Sequence, residues 1–268
     1  MIRQPAVSGR FYPAQPEELV RTVQAFLEPT GSRQKAIGLV VPHAGYVYSG
    51  HVAGAVYSRV NLPARIIVLC PNHTGRGTPL STMKSGSWRT PLGEMPIDEE
   101  LSEALLSADP YLQDEIEAHK FEHGIEVQLP FLQQRGEPAS RFVPITIGTG
   151  SLQRLQELGN AIGQAIKRIA PDALIIASSD MNHYESDAVT RIKDRKAIDR
   201  ILAMDPEGLF DVVRRENISM CGYGPTVAML TAAKLLGASK VELVKYATSG
   251  DVSLDFDHVV GYAGVIVS

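Results

Sequence analysis

Three short polar clusters, each holding a histidine, stand directly behind three apolar runs. Pro42-His43-Ala44-Gly45-Tyr46 follows A-I-G-L-V-V, Pro71-Asn72-His73-Thr74-Gly75 follows R-I-I-V-L-C, and Ser178-Ser179-Asp180-Met181-Asn182-His183-Tyr184 follows A-L-I-I-A. Imidazole is the commonest protein ligand for transition metals and the usual general base near neutral pH. One such histidine alone reads as a loop residue serving a turn. Three at the same relative place read as a site, because the ends of strands in one sheet lie close together.

A fourth element is Ser219-Met220-Cys221-Gly222-Tyr223-Gly224-Pro225, between two helical patterns. Pro225 suits the first turn of the second helix. Cys221 reads either as a packed thiol or as a thiolate at a helix N-terminus, ready as ligand or nucleophile. Cys70 lies within an apolar run and reads as a core thiol.

His119-Lys120-Phe121-Glu122-His123 spells H-x-x-E-H, the pattern of inverted zinc proteases. As a continuous helix, the segment would put Phe121, Ile125, Leu129 and Leu132 on one face and His119 and His123 opposite, with Pro130 bending it. A protease centre is therefore disfavoured, and Glu122, His123 and Glu126 are expected to border the histidine site as supporting groups. Gly148-Thr149-Gly150-Ser151 reads as a turn with an N-cap, since the phosphate fingerprint is incomplete. Asp251, Asp255 and Asp257 lack calcium-loop spacing and read as a solvated loop. His51 and His258 have no nameable partner.

The elements that must position these groups are legible as strand alternating with helix. Apolar runs at 36–41, 65–70, 141–147, 173–177, 241–246 and 261–267 are nearly continuous, which means strands covered on both faces. Helical periodicity fills 49–59, 152–169, 187–204, 206–215 and 225–236, and Ser151 is placed to cap the second. Residues 81–96, with the single Trp88, read as a loop or hairpin excursion. The expectation is one α/β domain over residues 1–268, with three α/β/α layers around a mostly parallel sheet.

Composition narrows the function classes. Two cysteines in 268 residues exclude a disulfide framework and suit a reducing cytoplasm. A net charge of −4 gives no basic footprint for nucleic acid. No long apolar run or leader-like segment is present, so neither membrane association nor a signal peptide is expected.

In order, R-Q-P-A-V-S-G-R-F-Y-P, V-P-H-A-G-Y-V-Y-S-G, P-N-H-T-G, E-H-G-I-E-V-Q-L-P-F-L, S-S-D-M-N-H-Y and C-G-Y-G-P resemble the Memo family from Arg3 to the last strand. That family is similar in fold to the LigB-type class III extradiol dioxygenases, which use non-haem iron. The resemblance implies a metal-capable pocket at the strand ends, with His43, His73 and Cys221 as metal residues and Asp180 and His183 as the remaining pocket pair. Where the dioxygenases carry a carboxylate ligand, this chain has Cys221, a softer donor that shifts preference toward Cu(I) or zinc while leaving iron open.

The expected function is thus a metal-dependent redox or dioxygenase-like activity on an unidentified small molecule or peptide, with one iron, copper or zinc ion. His183, poised by Asp180, would act as general base. The alternatives are a cysteine- or zinc-dependent hydrolase with Cys221 as nucleophile, and a non-catalytic binding or metal-handling protein. The resemblance also implies radical-SAM and AMMECR-type proteins as partners.

Overall fold

The computed structural model describes residues 1–29, 32–137 and 139–268. Its strands are β1 (Ile2–Arg3), β2 (Gly38–Val41), β3 (Arg65–Pro71), β4 (Leu80–Thr82), β5 (Ser87–Thr90), β6 (Gly93–Pro96), β7 (Gln113–Asp114), β8 (Arg141–Ile147), β9 (Leu174–Ser178), β10 (His183–Glu185), β11 (Val241–Thr248) and β12 (Val259–Val267). The helices are α1 (Pro16–Phe26), α2 (Tyr46–Arg59), α3 (Glu99–Ala108), α4 (Leu129–Arg135), α5 (Leu152–Ile169), α6 (Asp187–Leu202), α7 (Pro206–Arg215), α8 (Tyr223–Leu235) and α9 (Gly250–Ser253).

The main sheet runs β10-β12-β2-β9-β3-β8-β4-β7, with β11 also paired to β12. Its centre, β2-β9-β3-β8, is parallel. The strand residues alternate between two cores, which is why the runs are continuously apolar. Val40, Ile67, Leu69, Ile175 and Ala177 pack with residues of α5, α6, α7 and α8. Leu39, Val41, Ile66, Val68, Cys70 and Ile176 face the opposite way, toward α1, α2, α4 and Trp88. Three layers follow, as expected from the sequence.

Several elements differ from their sequence reading. β12 runs antiparallel to β2, and β11 antiparallel to β12; apolar content carries no information about strand direction. Residues 81–96 contain β4 and a β5–β6 hairpin that joins β1 in a separate three-stranded sheet. α8 begins at Tyr223, two residues before Pro225. The H-x-x-E-H segment is not a helix: residues 116–125 form turns and irregular chain, a 3-10 turn covers Glu126–Gln128, and Pro130 sits in the first turn of α4. Pro130 therefore starts a helix, where its missing N–H costs nothing. Ser151 caps α5, its side chain accepting from the Arg154 N–H. Among the described residues, no helix is long and apolar enough to cross a membrane.

Parallel register brings the polar clusters to one edge. Val41 lies opposite Ser178, Leu69 opposite Ala177, and Pro71 opposite Ile147. His43, His73 and Asp180 each come two residues after the last residue of β2, β3 and β9, so they emerge side by side.

Candidate metal centre

His43, His73 and His123 form one cluster, each offering a ring nitrogen, with these atoms all within 4.8 Å of one another. Ring centroids are 5.0 Å apart for His43 and His73, 5.3 Å for His43 and His123, and 4.4 Å for the stacked pair His73 and His123. His43 is buried, His123 half-buried and His73 exposed, so the cluster opens to solvent on the His73 side.

Hydrogen bonds decide which nitrogen each ring presents. The Ser178 hydroxyl donates its only proton to Gly124 O at 2.6 Å. It must therefore accept from His43 Nδ1 at 3.0 Å, as it does from Gln128 Nε2 at 2.9 Å. His43 thus carries its proton on Nδ1 and leaves Nε2 bare. His73 Nδ1 donates to Glu122 Oε1 at 2.8 Å, and again Nε2 is bare. His183 Nδ1 donates to Ser219 O at 2.9 Å, with the same consequence. Three histidines on three strand ends thus share one tautomer, each through a different partner.

Electrostatics keep the buried rings neutral. Burial lowers the His43 pKa well below the ordinary value, and the neighbouring rings of His73 and His123 add to this. Burial lowers His123 to about 4, although the Glu122 carboxylate works in the other direction. Neutral imidazoles with bare nitrogens are the form a metal ion needs.

Cys221 Sγ lies 3.2 Å from His43 Nε2 and 3.6 Å from Asp180 O. It approaches the cluster through His43, while the mutually close set is His43, His73 and His123. Burial pushes the Cys221 thiol far above its ordinary pKa, and the Asp180 charge pushes in the same direction. Beside Cys221 is a cavity of about 210 Å³, lined in part by Asn72, Thr149 and Tyr223.

Asp180 is buried, and its Oδ1 accepts from the backbone N–H groups of His43 at 2.7 Å and Ala44 at 3.3 Å. It therefore fixes the chain at His43. The ring of His183 is oriented by Ser219 instead: Ser219 Oγ also accepts from the His183 N–H at 2.7 Å, and Asn182 Oδ1 holds both Ser219 N and Oγ at 3.0 Å.

Glu122 borders the site and supports it, as the sequence leads one to expect. Its buried carboxylate accepts from His73 N at 2.7 Å, His73 Nδ1 at 2.8 Å, His123 N at 2.9 Å and Gly124 N at 2.8 Å. Burial alone would raise its pKa, but the hydrogen bonds from His73 and from the Gly124 N–H hold it below the usual value. Glu126 is buried nearby, and its carboxylate is taken by Arg3, Ala6 N, Val7 N and the Tyr12 hydroxyl rather than by a histidine ring. His119 lies away from the cluster, between Ser81 Oγ at 2.9 Å and Thr146 Oγ1 at 3.0 Å, so the H-x-x-E-H pair does not share a ligand.

Residues 3–266 match the family described as Memo-like protein. The chain belongs to the Memo family. It is 44% identical over 279 residues to a MEMO1 family protein of Methanopyrus kandleri, 46% over 267 residues to one of Methanosarcina mazei, and 43% over 277 residues to one of Pyrobaculum arsenaticum. These alignments cover 99% of this chain and 98–99% of each relative. Family membership thus extends over both the sheet and every residue of the histidine cluster.

Proposed function

We propose that this Memo family chain holds one transition metal ion, iron, copper or zinc, at His43 and His73, with His123 and Cys221 as the further donors, and that it uses the site for redox or dioxygenase-like chemistry on a small molecule or peptide. The observation that carries this reading is the convergence of three histidine nitrogens, two of them stripped of their proton by fixed partners. A nitrogen and sulfur donor set suits zinc, copper and iron better than magnesium or calcium. A bound ion would supply a Lewis-acidic and, for iron or copper, redox-active centre.

The chain's own residues supply the rest. His183, with Nδ1 tied to Ser219 O, keeps Nε2 free to accept a proton from a bound substrate or water. Asp180 fixes the backbone that carries His43. The cavity beside Cys221 gives room for a small group next to that thiol. The hydrolase alternative needs Cys221 as a thiolate nucleophile, and the raised thiol pKa speaks against it.

Anaerobic purification followed by elemental analysis tests the proposal. Wild type should carry a transition metal at a level that a His43→Ala, Cys221→Ser variant does not reach. Equal, background metal in both would overturn it.

A further inference from the structure

We infer that Glu122 is a positioning residue that orients the His73 ring and pins the backbone at His123 from one buried carboxylate, and that its charge is part of the balance of the metal site. This rests on the metal reading above. Both oxygens are in use. Oε2 accepts the His73 N–H, and Oε1 accepts His73 Nδ1–H, His123 N–H and Gly124 N–H.

A glutamine could not fill this place. It has one acceptor oxygen, so its amide N–H₂ would face either the His73 N–H or the three donors at Oε1. The geometry therefore requires an ionised carboxylate. Among the described residues, no Lys or Arg side chain pairs with that carboxylate; Arg3 Nη2 donates to the Glu122 backbone carbonyl instead, at 2.6 Å. A buried anion balanced only by N–H groups and two imidazoles is complementary to a cation held on the far nitrogen of the His73 ring.

The arrangement is also unsymmetrical. His43 leans on a neutral hydroxyl, whereas His73 leans on a charge. A carboxylate partner raises imidazole basicity more than a hydroxyl does, so His73 is the stronger donor of the pair. One side chain thus sets the tautomer of His73 and its donor strength, and holds the backbone at His123 beside it.

Two readouts test this. Nitrogen-15 NMR of the metal-free protein reports the His73 tautomer, assigned by its loss in His73→Ala. Chelator competition reports affinity for Zn²⁺ alone. Wild type should show the Nδ1–H tautomer. Glu122→Gln should show a mixed or Nε2–H tautomer and bind Zn²⁺ roughly 10- to 100-fold more weakly. An Nε2–H tautomer in wild type, or a Glu122→Gln variant with wild-type tautomer and affinity, would overturn the inference. If Glu122→Gln does not fold, the wild-type tautomer still decides. A wild type that binds no Zn²⁺ while showing the Nδ1–H tautomer would sink the metal reading and leave the positioning of His73 standing.

Discussion

Cys221 Sγ sits 3.2 Å from His43 Nε2, joining the loop before α8 to the end of β2 across 178 residues of sequence. The contact sets a sharp expectation for thiol chemistry. Cys221 is held as a neutral thiol by burial and by Asp180, and Cys70 is buried in the sheet. Neither should react appreciably with iodoacetamide at pH 7.5 in the native metal-free protein, whereas both should react in urea. Rapid native alkylation at Cys221 would revive the cysteine-nucleophile reading.

Metal-free protein should lose stability as pH falls from about 6.5 to about 4. His119 is buried between two hydroxyls, and burial lowers its pKa to about 4. The unfolded chain takes up a proton near pH 6.5 that the native chain refuses, so below that pH unfolding is favoured, and the effect levels off below about 4. His119 alone accounts for a loss on the order of 3 kcal/mol. A His119→Gln variant should be less stable at pH 7.5 but show a flatter urea-denaturation slope against pH in that window.

Asp194 pulls the other way. Burial raises its pKa to about 7, although hydrogen bonds from Tyr246 Oη at 2.7 Å and Asn182 N at 2.8 Å oppose the rise. The native chain keeps this proton up to about pH 7 while the unfolded chain releases it near 4, so the cost of ionising it grows as pH rises between those values. Asp194→Asn mimics the protonated form. Its stability relative to wild type should increase steadily from pH 4 to 7, as read by chemical denaturation; a constant difference would contradict the assignment.

The clamp of Arg3 on Glu126 should be costly to break from one side. Both side chains are buried, Arg3 also donates to His119 O at 3.0 Å and Glu122 O at 2.6 Å, and its guanidinium lies 4.3 Å from the centre of Trp88. Arg3→Ala strands the Glu126 charge and should cost about 3–5 kcal/mol. Arg3→Met with Glu126→Gln should cost less than Arg3→Ala alone, because no charge is left behind. Urea titrations of the two variants check the order.

The sheet was legible because its central strands are apolar on both faces, and His43, His73 and Asp180 were legible because they sit two residues beyond strand ends. His123 reads from the sequence only as a supporting group. It rides on irregular turns that periodicity cannot describe, held by Glu122 contacts to His73 and by Arg3 contacts more than a hundred residues away. H-x-x-E-H pointed to the right stretch for the wrong reason: its glutamate supports ligands, and its first histidine is a core residue. Ser219 as the partner of His183 likewise depends on how two loops meet, which neither loop's sequence records.

X-ray absorption of the metal-loaded protein reads the proposed donors of the ion themselves. The spectrum should show imidazole scattering with nitrogen at about 2.0–2.1 Å and one sulfur near 2.3 Å, the sulfur lost in Cys221→Ser and the imidazole pattern reduced in His43→Ala. A first shell of oxygen alone, unchanged in both variants, would contradict that donor set.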